Sequence, residues 1–457
     1  MTTTATAPER PTLTTGERRL NRGALIKGPI GFGIVTIGIA VLSLIFARPG
    51  ISPFVLATRS DFVALPPLAL PAIVTGVVLT VALAAATIAS IIYAMAGRTT
   101  PLWLVVVFAI LALGAFLVWA SAGADRGIVI PSLLVGAISL STPLIFGALG
   151  GVLSERSGVV NIAIEGQLLG GAFVSAMVAS SLSIPLATLF NERDADGALI
   201  RDAAGGFIAS VIAIMAAGLA GVGVALLLAL FGIRYIVDQV IVGVVLNVLV
   251  VGITGFLYSE LLTENADVLN SPPILHRLPI PLLSQIPIIG PALFNGTFIT
   301  YLMYLAVPTV WFALTKTRWG LRVRAVGEHP KAADTVGINV TRRRLTTVLI
   351  AGAIAGAGGA FFTLGSVGGF TKEVTAGAGF IALAAVIFGR WDPIRATLAA
   401  LLFGFATYLQ YALSSIGSPV PGELMRMLPY LATVLAVAGF VGRSRAPAAD
   451  GKPYISS

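Results

Sequence analysis

Cysteine is absent from the 457 residues, and only two histidines, His276 and His329, are present. Without thiols there are no disulfides, no iron–sulfur clusters and no thiolate metal sites. Two histidines leave little for a zinc or imidazole-based catalytic centre. Charge is scarce as well: 11% of residues are Asp, Glu, Lys or Arg, against about 25% in an average soluble chain. Twenty acids and 29 bases cannot coat the roughly three soluble domains that this length would form. A soluble enzyme, a disordered chain and a nucleic-acid binder are therefore poor readings. Motifs of energy conversion and covalent catalysis are missing too. No G-x-x-x-x-G-K-[ST] phosphate loop occurs, because Gly451-Lys452 is followed by Pro453. HExxH, CxxC, GxSxG and the periodic arginines of a voltage sensor are also absent.

What remains is apolar: 57% of residues, with 51 glycines and 26 prolines and a mean hydropathy of +0.96. Those residues must face lipid. A spanning helix needs roughly 20 mostly apolar residues and satisfies its own backbone, which an open sheet cannot. Twelve stretches qualify, near residues 29–47, 72–96, 101–120, 128–150, 166–186, 205–231, 237–257, 298–314, 345–367, 377–389, 396–414 and 424–441. The stretch at 377–389 is too short to cross alone. The expected fold is all-α, a polytopic bundle of about 10–12 spans with broken or re-entrant segments.

Lys and Arg collect in cytoplasmic loops. With the N-terminus inside and strict alternation, 21 of the 29 bases fall on the inner side and eight on the outer, alongside eleven acids. Both termini are therefore expected in the cytoplasm, and the net charge of +9 reflects topology and attraction to anionic inner-leaflet lipid, not nucleic acid. Met1–Lys27 reads as a disordered tail without a cleavable signal, so the first span is expected to remain.

Polar residues at membrane depth line cavities, pair, or lie at an interface. The first concentration is GVLSERSGVVNIAIEGQLLGG, with Glu155, Arg156, Asn161, Glu165 and Gln167 between two apolar runs. Broken helices with polar lining mark solute sites in transporters. Asn161 and Gln167 are the better candidates for facing a solute, while Glu155, Arg156 and Glu165 fit a structural role at least as well. Asp238 and Asn247 share the next polar span; Asp238 fits a structural role near the inner end, and Asn247 is a candidate ligand or a joint between helices. A third concentration, GAGFIALAAVIFGRWDPIR, joins a half-span to a turn at Gly389–Pro393. Phe380, with Phe361, Phe362 and Phe370, could stack on a planar ring, although Phe is also ordinary lipid-facing filler. Between Thr315 and Arg344 lie eight bases and two acids, net +6. Within that loop EHPKAADTVGINV reads as a short helix opened by Pro330 and closed by Gly337.

Three segments, LSERSGVVNIAIEGQLLGGAF, TRWGLRVRAVGEHPKAADTVGINV and FIALAAVIFGRWDPI, closely resemble permease subunits of bacterial ABC importers. The branched-chain amino acid/simple sugar permease group is the family, and its nucleoside importers are the branch most resembled; the likeness covers roughly Ile128–Val441. Composition, apolar runs and charge give residues 1–27 as a cytoplasmic tail, 28–127 as N-terminal transmembrane helices and 442–457 as a cytoplasmic C-terminal tail, and the likeness implies 128–441 as the permease core with a coupling loop at 315–344. It further implies a bacterial plasma-membrane protein that is not an enzyme and holds no cofactor. Its partners would be an ATPase subunit, a second homologous permease in a heterodimer and a substrate-binding lipoprotein. Glu328, Ala332, Ala333, Asp334 and Gly337 match the group's coupling helix. The solute pocket would involve Asn161, Glu165, Gln167, Asn247 and Phe380, for a nucleoside or equally a hexose. The competing readings are an ion-coupled secondary transporter using Asp238 and Glu165, and a membrane subunit that transports nothing.

Overall fold

A computed structural model describes residues 22–57, 61–63, 65–191, 203–418, 420–424, 427 and 445–455. Among the described residues, ten helical segments are long and apolar enough to cross a membrane. The half-span at 377–389 is an eleven-residue helix, and the expected last span lies outside the described residues, as does most of the N-terminal tail. The fold is an all-α polytopic bundle, as its apolar runs require.

The chain forms two compact units, one drawn from Met1–Gly50 and Pro71–Trp119 and the other from Ile51–Leu70 and Ala120–Ser457. The first contains α1 (Arg22–Ala40), continued by a wide turn to Ile45, with α2 (Ala72–Met95) and α3 (Leu102–Ala120). Its small core joins Phe32, Ile39, Leu83, Ala86, Leu104, Phe108 and Ala115. Phe32 and Phe108 stack with ring centroids 3.8 Å apart, and the Thr36 and Thr87 hydroxyls meet at 2.8 Å. Most of the remaining surface is apolar and exposed, the composition lipid demands.

The second unit opens with a short sheet, β2 (Leu68–Pro71), β1 (Ile51–Val55) and β3 (Ile128–Val129), in the order β2-β1-β3. It then runs through α4 (Ile130–Arg156), α5 (Ile164–Leu189), α6 (Ala204–Ala229), α7 (Gln239–Leu257) and the short α8 (Ala266–Leu269). The segment after α8 carries β4 (Arg277–Pro279), α9 (Ile289–Phe294) and β5 (Asn295–Thr297), the two strands pairing antiparallel. Next come α10 (Phe298–Lys316), α11 (Arg318–Glu328), α12 (Pro330–Thr335), α13 (Val340–Ala360), α14 (Ala378–Phe388) and α15 (Pro393–Ser415). Helix starts follow local chemistry. Asp238, Thr317, Asn339 and Asp392 accept first-turn N–H groups of α7, α11, α13 and α15, and Pro131, Pro330 and Pro393 occupy first turns. Asp238 thus spends its oxygen on Val240 and Ile241 N–H.

The most buried spanning helix is α4, which packs against α10, α13, α14 and α15. Helices α5, α6 and α13 cross backbone to backbone. A Cβ on Gly171 would lie 2.1 Å from the Gly356 carbonyl oxygen, and one on Gly221 would lie 2.1 Å from that of Gly352. Lipid supplies no hydrophobic drive to join helices, so close approach over small residues supplies the packing instead.

Candidate functional site

Residues 157–163, between α4 and α5, are not helical, and they do not form a surface turn. A Cβ on Gly147 of α4 would lie 3.1 Å from Ile164, the first residue of α5. Gly147 stands nine residues before the end of α4 at Arg156, about 13 Å along the helix. Helix α5 therefore begins deep beside α4, and irregular backbone must reach it through the bundle. Such backbone is tolerated at membrane depth only where its polar groups find partners.

The need of a backbone without water for hydrogen-bond partners explains most of the polar side chains here. Val160 N–H donates to Gln239 Oε1 at 2.9 Å, and the Val159 carbonyl accepts the Ser154 hydroxyl at 2.7 Å. Asn247 of α7 bridges both sides of the break: its Nδ2 donates to the Ile162 carbonyl at 2.9 Å and its Oδ1 accepts Gly166 N–H at 2.8 Å. Asn161 and Gln167 are fully buried and bond each other through their amides, at 3.1 and 3.4 Å. Their polar atoms face one another in this conformation.

A second break precedes α14, where Gly377 takes a left-handed φ of +82° and offers no side chain to cap the helix. Glu165, reaching from the first turn of α5, takes over that task. Its Oε1 accepts the Thr375 hydroxyl at 2.6 Å and Gly377 N–H at 2.9 Å, and its Oε2 accepts Gly379 N–H at 2.6 Å. A carboxyl at a helix N-terminus also meets the positive end of the helix dipole. The two helix starts nearly touch, since a Cβ on Gly379 would lie 2.4 Å from the Glu165 nitrogen. Thr375 was not anticipated from the sequence; the glycine-rich run before a half-helix is the signal that an outside acceptor is needed.

At the other end of α14 the turn Gly389–Asp392 packs inward. Arg390 and Trp391 adopt positive φ values of 54° and 56°, and Trp391 is buried, its indole N–H donating to Glu155. Arg156 Nε donates to the Trp391 carbonyl at 2.8 Å. Of the four phenylalanines, Phe361 and Phe370 are buried, Phe370 edge-on to Phe173 at 5.1 Å. Phe380, half exposed in the first turn of α14, is the one that presents an open face.

The basic loop folds into two helices rather than one. Thr317 starts α11, and after His329 the six-residue α12 begins at Pro330 and ends before Gly337, whose φ is +81°. Ala333 is buried with Val326 and Val340, whereas Ala332, Lys331 and Val336 are exposed. Glu328 lies 4.0 Å from Arg156, and Asp334 accepts the Tyr454 hydroxyl at 2.7 Å.

Residues 133–437 match the family described as branched-chain amino acid transport system, permease component. The chain belongs to that family. It is 41% identical to the guanosine ABC transporter permease protein NupQ of Bacillus subtilis, over 72% of this chain and 96% of the relative. Identity to the nucleoside ABC transporter permease protein NupC of Lactococcus lactis is 37%, over 69% and 94% of the two chains. The putative glucose ABC transporter permease protein TsgC13 of Haloferax volcanii is 31% identical, over 68% and 92%. No solved structure matches significantly. This permease is thus a multi-pass membrane subunit of an ABC transporter, a transport component rather than an enzyme. The two breaks, with Asn161, Glu165, Gln167 and Asn247 between them and Phe380 at their edge, form its candidate solute site.

Proposed function

We propose that this permease forms the path for a nucleoside in an ATP-driven importer. The observation that carries the reading is identity of 37–41% to two permeases named for nucleoside and guanosine transport, over 94–96% of their lengths. The geometry supports it. Two helices start at one place inside the bundle, the kind of broken-helix arrangement at which transporters build solute sites. Asn161 and Gln167 exchange their mutual bonds for a ribose, and the open face of Phe380 takes the base. Asn247 and Glu165 hold the two breaks in shape as the pocket changes.

Both termini and the loop 315–344 lie in the cytoplasm. A separate ATPase subunit docks there on α12, a second homologous permease completes the path as a heterodimer, and a lipid-anchored binding protein delivers solute from outside. ATP-driven closure of the partner moves α12, and the pocket opens alternately to the two sides. The chain acts through a difference in affinity between those states.

Reconstitution with the partner subunits tests this. ATP-dependent accumulation of labelled guanosine or uridine, competed by nucleosides and not by glucose, is expected. Glucose uptake instead would favour the sugar reading, and uptake by the isolated chain under an ion gradient would overturn the dependence on ATP. Ala332→Glu, on the exposed side of α12, is expected to abolish transport while the chain still inserts; unchanged transport would remove α12 as the coupling element.

A further inference from the structure

Residues 445–455 lie directly against the short helix α12. Ala449 N–H donates to the Gly327 carbonyl at 2.9 Å, and Ala448 N–H donates to Glu328 Oε2 at 3.2 Å. From the opposite side Arg344, in the second turn of α13 and only 2% exposed, donates through Nη1 to the Lys452 carbonyl at 2.9 Å and through Nη2 to the Ala449 carbonyl at 3.4 Å. Tyr454 completes the attachment: its hydroxyl donates to Asp334 of α12, and its ring packs on the cluster of Val326, Ala333 and Val340. One segment therefore bonds to the end of α11, to α12 and to α13 at once.

The same segment makes a second wall. Between it and α12 runs an open groove of about 650 Å3. Glu328, His329, Pro330, Lys331 and Ala332 line one side, and residues 448–449 and 452–455 line the other. Lys331 and Lys452 stand exposed on opposite walls. Ile455, 73% exposed on the tail, and Val336, 74% exposed just past α12, add apolar surface that none of the described residues covers. One acid lines the groove, Glu328, and it stands 4.0 Å from the Arg156 guanidinium. Lys331 and Lys452 outnumber that acid, so the net charge of the lining is positive, and it complements a segment that carries acidic side chains around an apolar tip.

We infer that the C-terminal segment 445–455 and α12 together form one composite docking groove that receives an acidic, apolar-tipped segment of the ATPase subunit. This rests on α12 being the coupling helix. It goes further in making the tail half of the contact and the tie by which a push on α12 reaches α13. A loose six-residue helix would yield under load; bonded through the tail to Arg344, it moves with the spanning helix.

The test uses the complete transporter in proteoliposomes with three forms of this chain: Lys452→Glu/Ile455→Glu, a truncation after Arg445, and Ala332→Glu. The double variant changes only exposed side chains and leaves every bond described above intact. Expected is at least a tenfold weaker retention of the ATPase subunit by the double variant and the truncation, with transport falling in step. If Ala332→Glu releases the ATPase while the two tail forms retain it and transport normally, the tail is no part of the groove and the inference fails, with the coupling reading intact. If none of the three has an effect, the coupling reading fails too. Transport raised by the truncation would make the tail a displaceable cover, which overturns the inference. A defect of the double variant seen in vesicles with anionic lipid and absent in pure phosphatidylcholine would assign the groove to headgroups, which also overturns it.

Discussion

Glu165→Ala removes the acceptor at which the two helix starts meet. The Thr375 hydroxyl and the N–H groups of Gly377 and Gly379 are left without partners in a water-poor site. At about 1–3 kcal/mol for each unsatisfied buried donor, the Thr375 hydroxyl and Gly379 N–H together cost about 2–6 kcal/mol, and the half-buried Gly377 N–H adds less because water reaches it. Glu165→Gln is milder. Its amide oxygen can keep the Thr375 and Gly377 bonds at the Oε1 position, while its NH2 opposes Gly379 N–H, a loss of about 1–3 kcal/mol. The expected order of transport is parent, then Gln, then Ala, with Ala below a tenth of the parent rate. The absence of cysteine provides a direct reporter. Ala385→Cys places a thiol on α14 where the side chain is 0% exposed, so maleimide reacts only when the half-helix opens. Labelling is expected to be slow in the parent background, several-fold faster with Glu165→Gln and fastest with Glu165→Ala. Equal labelling and equal transport in all three would refute the capping argument.

Other consequences are as direct. Gly171→Ala drives a methyl onto the Gly356 carbonyl, and overpacking of this kind costs about 1–3 kcal/mol; a lower melting temperature in detergent is expected, whereas Gly223→Ala, with nothing within 4 Å, leaves it unchanged. Attachment of the C-terminal segment is expected to depend on pH through Asp450. Burial pushes its carboxyl up to about 7, against the pull of Arg344 and the Gly451 N–H, with Glu155 also facing it. The docked segment therefore binds a proton that the free segment releases near pH 4. Docking is strongest below that value, weakens as pH rises toward 7 and changes little above. Hydrogen exchange at the Ala449 amide, corrected for intrinsic rate, is expected to be several-fold faster at pH 8 than at pH 5, and Asp450→Asn abolishes the difference; equal protection at both values counts against it.

Much of this permease was legible without coordinates. The apolar runs and the scarcity of charge demand a helical membrane bundle, because only helices satisfy their backbone in lipid. Pro330 and Gly337 bracket α12 in the sequence as they do in the structure, since first-turn proline and left-handed glycine act locally. The polar cluster around Asn161 was visible as a break for the same reason, and residues 377–389 as a half-span ending in a turn.

The partners of those segments were not. Glu165 lies more than two hundred residues from the N–H groups it accepts, and Asn247 bonds backbone some eighty residues before it. Nothing local distinguishes a carboxyl that faces a solute from one that caps a distant helix. The division of Ala332 from Ala333, one exposed and one buried, likewise depends on where Val326 and Val340 come to rest. Sequence alone determined that this protein lives in lipid, where its helices break and which family it joins, because these depend on runs, local caps and motifs. Only tertiary structure decided what each buried polar atom bonds, since in a medium without water a polar group takes whichever partner the fold carries to it.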